Sequence, residues 1–297
     1  MQNLSWDKLS REIEKNKANQ NEYAAILDIY RDVSKIQFGY GEKINVPFNF
    51  KEEEELKKYF RQGNYLLSGD SLEIDWEMFR EMMQRIAKVF LKDDQEAEGK
   101  IEELTALEAL KEENLKPLIR EKGGITPESL EKHLIDSGVK EHCRIEPEVI
   151  VDICFSALSP FYMDYARKAA EKNDFHLWTN GFCPVCGQKP MMAKLSRENS
   201  ARVMECWLCH AEWKFPRLEC PYCNNRDHEK LGYFFADEEK ARRVNVCERC
   251  KSYLKAVNLK EIGKEVILDL ENILTLHLDN EAQEKGYKPG QDLSLLN

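Results

Sequence analysis

Apolar residues recur every three or four positions through the first half of the chain, the interval that gathers side chains on one face of a helix. From Trp6 to Ile36 the series Tyr23, Ile26, Leu27, Tyr30 and Val33 predicts one or two amphipathic helices, and Phe38-Gly39-Tyr40-Gly41 through Pro47 breaks it. Glu52 to Phe60 resumes as a short helix running from acidic to basic, which suits the helix dipole. A loop from Gly63 to Gly69 then carries Tyr65, Leu66 and Leu67, expected to tuck against a core. Asp75 can cap a helix over Trp76 to Leu91, whose face of Phe79, Met82, Met83, Ile86, Val89 and Phe90 reads as core, not as an adaptable methionine surface. Glu96 to Lys111, Pro127 to Ile135 (opened by Thr126) and Glu146 to Lys172 follow as helices, the last expected to kink or divide at Pro160.

The period changes after a linker at Asn173 to Gly181. Short β-like runs take over at Met191 to Leu195, Ala201 to Glu205, Glu212 to Leu218, Leu231 to Ala236, Arg242 to Val246 and Ser252 to Asn258. Gly263 to Glu284 returns to helix. The expected class is therefore α+β. An all-α bundle over residues 1–176 precedes a β region over 177–258, and a C-terminal helix and tail occupy 259–297.

Between the β runs stand four Cys-x-x-Cys pairs, which take eight of the ten cysteines: Cys183/Cys186, Cys206/Cys209, Cys220/Cys223 and Cys247/Cys250. Two intervening residues let the backbone fold back and aim both sulfurs at one ion, and a second pair brought in across a loop completes a tetrahedral thiolate set. The gaps of 19 residues between the first two pairs and 23 between the last two each suit a hairpin, whereas the central gap is only 10. Two tandem sites follow, with an interleaved pairing as the alternative. Redox dithiols or disulfides would explain one such pair better than four in succession. Cys143 and Cys154 stand apart as ordinary part-buried thiols.

Composition narrows the function without naming it. No 18-residue apolar run predicts a membrane span, and the polar start of the chain lacks the form of a secretory signal, so the expected location is the cytoplasm, where thiolates stay reduced. Residues 183–258 carry 14 basic and 10 acidic side chains in a chain of net charge −10. Eight thiolates and two divalent ions bring that stretch to about neutrality, which leaves no basic footprint for nucleic acid. Four sulfurs fill a tetrahedral ion, so no position remains for a water or substrate, and the helical half offers no catalytic constellation. No enzyme is expected. Iron and zinc both accept this ligand set.

The cysteine stretch resembles the FdhE-type formate dehydrogenase accessory proteins. The matching text is Cys-Pro-Val-Cys-Gly-Gln-Lys-Pro (183–190), Glu-Cys-Trp-Leu-Cys-His-Ala-Glu-Trp (205–213), Arg217, Cys-Pro-Tyr-Cys (220–223) and Cys-Glu-Arg-Cys-Lys-Ser-Tyr-Leu-Lys (247–255), with Leu158-Ser159-Pro160-Phe161 and Trp178 ahead of it. The resemblance implies a helical domain followed by two rubredoxin-like or zinc-ribbon modules holding two metal ions. It also implies a cytoplasmic factor that binds the catalytic subunit of a molybdenum or tungsten formate dehydrogenase during maturation. A zinc-ribbon nucleic-acid module and a rubredoxin-like electron-transfer or thiol-redox protein are the competing classes. The family tends to place glycine after the second knuckle, where this chain has His210, expected to face solvent or else to hydrogen-bond a thiolate. Trp178, Arg202, Trp213 and Arg217 are the candidate partner contacts, since large aromatics and arginine dominate interfaces. The alternative for the two tryptophans is a place in the core.

Overall fold

The computed structural model describes residues 4–19, 21–49, 51–69, 71–120, 124–173, 175–236 and 239–290. The end of the predicted tail, 291–297, lies outside them. In chain order the α-helices are α1 (Trp6–Asn19), α2 (Ala24–Gly41), α3 (Glu53–Arg61), α4 (Trp76–Phe90), α5 (Ala97–Ala106), α6 (Glu112–Arg120), α7 (Pro127–Asp136), α8 (Val139–His142) and α9 (Pro147–Lys172). Strands β1 (Pro190–Leu195), β2 (Arg202–Cys206), β3 (Glu212–Lys214), β4 (Leu231–Phe234), β5 (Arg242–Cys247) and β6 (Ser252–Asn258) follow. The described chain closes with α10 (Leu259–Ile262), α11 (Leu268–Leu274), α12 (Leu276–Glu284) and β7 (Lys288–Pro289).

The chain forms two compact units, one comprising residues 50–66 and 169–292 and the other 2–49 and 67–168, so that the boundary falls inside α9. In the all-helical unit, the Asp75 carboxylate accepts from the backbone N–H groups of Glu77 and Met78 and starts α4 where the sequence predicts it. Phe79, Met82, Met83 and Ile86 are fully buried there, which makes the methionine stripe core. Each such side chain contributes about 1.5–3 kcal/mol by leaving water. Asp164 is a buried anchor in this unit, accepting the N–H of Val46 at 2.8 Å and pairing with Arg167 and Lys168.

Three helix boundaries depart from expectation. Helix α2 runs on through Gly39 to Gly41 because Tyr40 is buried, and that contact outweighs a glycine cost of about 1 kcal/mol. Helix α6, with Pro117 inside it, carries no strong signal in the sequence. Helix α9 is not divided at Pro160. A proline has no N–H to give the carbonyl four residues back, and that carbonyl, on Ser156, instead accepts from Gln37 Nε2 at 2.9 Å. Among the described residues α9 alone is long and apolar enough to cross a membrane, and 78% of its most apolar stretch is buried within the fold.

In the other unit all the strands belong to one sheet, ordered β3-β2-β1-β6-β5-β4, with β7 beside β6. Antiparallel β1-β2-β3 forms one half and β4-β5-β6 repeats the plan, and a parallel pairing of β1 with β6 at Ala193–Ala256 joins the halves. Helix α12 covers one face of the second half, where Val244, Val246 and Tyr253 pack on Leu278 and Ala282. Met192 and Val257 are covered by Leu268 of α11. The expected single helix over 263–284 is broken at Gly263, with φ of 74°, and at buried Thr275, whose hydroxyl donates to the Glu271 carbonyl.

Residues 50–66 join this unit through specific contacts. The Leu66 N–H donates to the Pro184 carbonyl at 2.9 Å, and the Tyr65 ring lies so near Gly187 that a β-carbon there would sit 2.8 Å from it. Trp178 stacks edge-on against Phe60 and Phe182, both at 5.0 Å, and its indole N–H donates to the Phe182 carbonyl. Trp213 is 1% exposed and donates to the Asn180 carbonyl. Both tryptophans are therefore core residues of this unit.

Candidate metal centres

The four Cys-x-x-Cys pairs fold into the same turn. In each, the N–H of the residue after the second cysteine donates back to the carbonyl of the first: Gly187 to Cys183, His210 to Cys206, Asn224 to Cys220 and Lys251 to Cys247, at 2.8–3.1 Å. Closing that turn requires positive φ at the donor, and the four values are 78°, 54°, 54° and 57°. Glycine meets this without strain, whereas the other three carry a β-carbon into the left-handed region.

Strands then bring the turns together two by two. The sulfurs of Cys183, Cys186, Cys206 and Cys209 lie within 4.8 Å of one another, and those of Cys220, Cys223, Cys247 and Cys250 form a second such group. The sulfurs lie 3.4 Å apart in Cys183–Cys209 and Cys186–Cys206, and 3.7 Å apart in Cys220–Cys250 and Cys223–Cys247. Metal–sulfur bonds of about 2.3 Å at tetrahedral angles put sulfurs about 3.8 Å apart, and a disulfide needs about 2.05 Å. All eight cysteines are free, and the two groups fit four-coordinate thiophilic ions in donor type and spacing. Burial opposes ionisation in the first group, yet the thiols of Cys186, Cys206 and Cys209 turned on the Cys183 sulfur hold its pKa well below the usual thiol range. The four cysteines of the first group are buried, while Cys223 and Cys250 of the second are partly exposed.

His210 does not face solvent, contrary to expectation. Its Nδ1 lies 3.2 Å from a Glu205 carboxylate oxygen and 3.4 Å from one of Asp269, with side-chain exposures of 11%, 5% and 17%. Burial disfavours the charged ring, but the carboxylates of Asp269 and Glu205 more than offset it and push its pKa up to about 9. These three residues also satisfy the proximity of a metal trio, but their spacing is that of an imidazolium whose Nδ1–H is hydrogen-bonded to Glu205 and ion-paired with Asp269. The sequence places Glu205 and His210 beside the second knuckle, whereas Asp269 arrives on α11 from 59 residues beyond His210 and carries no local signal.

Of the candidate partner contacts, Arg202 is buried and gives its guanidinium to the carbonyls of Pro216 and Glu219, while Arg217 is exposed.

Comparison with known proteins agrees with this architecture. Residues 182–217 match the family described as FdhE, central domain. An FdhE homologue of Aquifex aeolicus is 32% identical over 165 residues, covering 54% of this chain and 57% of its own length. One of Haemophilus influenzae is 31% identical over 137 residues, 45% of this chain and 44% of its own. The crystal structure of the FdhE protein from Pseudomonas aeruginosa superposes with a TM-score of 0.60 at 20% identity, over 98% of this chain and 96% of that one. The chain is similar to FdhE proteins in sequence over residues 182–217 and in fold over nearly its whole length. It spans about half the length of the curated FdhE relatives it matches in sequence, and the shared fold extends over nearly all of it.

Proposed function

We propose that this chain is an accessory protein that binds the catalytic subunit of a molybdenum- or tungsten-containing formate dehydrogenase during assembly of that enzyme in the cytoplasm. Two ions, iron or zinc, would be held by Cys183, Cys186, Cys206 and Cys209 and by Cys220, Cys223, Cys247 and Cys250. The observation that carries this reading is the pair of four-sulfur groups within an FdhE fold. Four thiolates around each ion leave no vacant position, so the ions would brace the sheet instead of activating water. The chain acts by binding and catalyses no reaction of its own. Rigid knuckles then present surface groups to the partner, and among the four candidate contacts Arg217 is the one on the exposed surface, with Trp178 and Trp213 holding its surroundings in place.

The test is affinity purification of the tagged chain from its native host, grown so that formate dehydrogenase is being made. Recovery of a molybdo- or tungsto-enzyme catalytic subunit is expected. Repeated absence of every such subunit, with both ions present in the bait, overturns the reading.

A further inference from the structure

The sheet of the cysteine unit has one face under α12, and the opposite face of β4-β5-β6 forms the floor of a cavity of about 430 Å³. Tyr233, Asn245 and Leu254 lie in one row across these strands. Arg243 lies two residues from Asn245 along β5, and Arg202, Arg217 and the exposed Leu218 complete the lining.

The charges at this cavity do not balance internally. Glu219 is the only carboxylate among the described lining residues, and it is already taken by a two-pronged pair with Arg226 at 2.9 and 3.2 Å. Arg202 and Arg243 are 4% and 9% exposed, and among the described residues the Nε–H of each is buried without a hydrogen-bond partner, the sulfurs of the second cysteine group included. Arg217 forms no ion pair among the described residues. A buried guanidinium donor left unmet carries its full desolvation penalty, so two beside a third arginine describe a place shaped for an anion. Burial lowers the pKa of both, that of Arg202 to about 10, and Arg217 adds repulsion at Arg243. The thiolates of a filled second centre, Cys220 and Cys247 among them, would supply some negative countercharge, but neither Nε–H donates to them.

The walls narrow the choice of anion. Leu218 and Tyr233 are 70% and 58% exposed, and Leu231, Val246 and Leu254 line the rest, so apolar surface surrounds the guanidiniums. The volume suits one or two amino-acid residues, not a bare ion. The Nε edge of Arg243 matches the planar fork of a carboxylate, while Arg202, whose Nη2 already donates to the Pro216 and Glu219 carbonyls, has its Nε–H to add as a single donor.

We propose that this cavity is a recognition site for a peptide carboxylate flanked by a large apolar side chain, with Arg202, Arg217 and Arg243 taking the carboxylate and Leu218 and Tyr233 the side chain. The site stands independently of which protein the chain serves.

The experiment titrates the metal-loaded full chain with four probes: N-acetyl-Leu-Leu with a free carboxylate, its C-terminal amide, capped acetyl-Glu-Leu-amide, and inorganic phosphate. The arginine Nε–H resonances of Arg202 and Arg243 are followed by NMR. One or both carboxylate peptides are expected to shift them saturably, and which one does so identifies the carboxylate as terminal or side-chain. Binding should weaken about tenfold or more in Arg217→Gln, the value of one charge-assisted hydrogen bond. Arg217 is exposed, so this variant keeps its fold, and Tyr233→Ala provides a second test on the apolar side. The proposal is overturned if no carboxylate peptide binds, if the Leu-Leu amide or phosphate binds equally well, or if Arg217→Gln and Tyr233→Ala both leave affinity unchanged at full metal content.

Discussion

The second and fourth knuckles make the same turn with different residues, and this sets up a quantitative contrast between His210→Gly and Lys251→Gly. Both residues sit at positive φ, 54° and 57°. Replacing either by glycine relieves about 1 kcal/mol of left-handed strain and gives back roughly 0.4–1 kcal/mol through the freer unfolded chain, so the backbone balance is near zero. The side chains then decide the outcome. Lys251 is 56% exposed and pairs with Glu248 at 45% exposure, a surface pair worth at most about 1 kcal/mol. His210 stands against the buried carboxylate of Glu205 and the largely covered one of Asp269, and removing one member of a buried charge set costs about 3–5 kcal/mol. Lys251→Gly should therefore leave the melting temperature within a few degrees of the parent. His210→Gly should lower it by roughly 6–20 °C, at about 2–4 °C per kcal/mol for a unit of this size. Scanning calorimetry of the metal-saturated chain reads both. A His210→Gly protein as stable as the parent would refute the view that the imidazolium offsets its two carboxylates.

Three further outcomes follow from the geometry. Cys223 and Cys250 are partly exposed while the first group is buried, so a chelator should withdraw the ion of Cys220, Cys223, Cys247 and Cys250 well before that of the first centre. Equal rates, or the reverse order followed through Cys→Ser variants of each centre, would contradict this. Gly181→Ala would place a β-carbon 2.0 Å from the Pro221 carbonyl oxygen, where backbone must move, so a loss of about 1–3 kcal/mol or more is expected in thermal unfolding, and a neutral result would be inconsistent with that close approach. Burial favours the neutral form of Asp164, but Lys168, Arg167 and the Val46 N–H more than offset it and hold its pKa below the usual carboxylate range. The stability it contributes is present above the unfolded carboxylate value of about 3.9 and is lost as pH falls through the folded pKa. Asp164→Asn should therefore cost about 1–3 kcal/mol near neutrality, with the gap to the parent closing as the pH drops below about 4, and a gap constant from pH 7 to 3 would argue against it.

What the sequence made legible was whatever is encoded within a few residues. Cys-x-x-Cys spacing, the β runs between the knuckles and the Asp75 cap all depend on neighbours, and the structure has them where the text implies. Glycine preference at the knuckle exits was legible as a need for positive φ, and the residues that depart from it hold that φ regardless. What could not be read is supplied across the chain. Gln37 satisfies the carbonyl that Pro160 frees 119 residues from the amide's own position, and Asp269 turns a knuckle histidine inward. The parallel seam of β1 with β6 merges the two cysteine modules into one sheet, a pairing with no local signature. The same limit applies to the arginine cavity: Arg202 and Arg217 stood out as residue types, but Arg243 and the empty Nε–H groups become visible only when β5 is laid beside the 217–222 segment.

The most direct test of the central claim is the metal stoichiometry and coordination of anaerobically purified chain, measured by elemental analysis together with X-ray absorption at the metal edge. Two ions per chain are predicted, each with four sulfur neighbours at about 2.3 Å and no nitrogen or oxygen ligand. Fewer than two iron or zinc ions, or a light-atom ligand in either first coordination sphere, would contradict two closed four-thiolate centres.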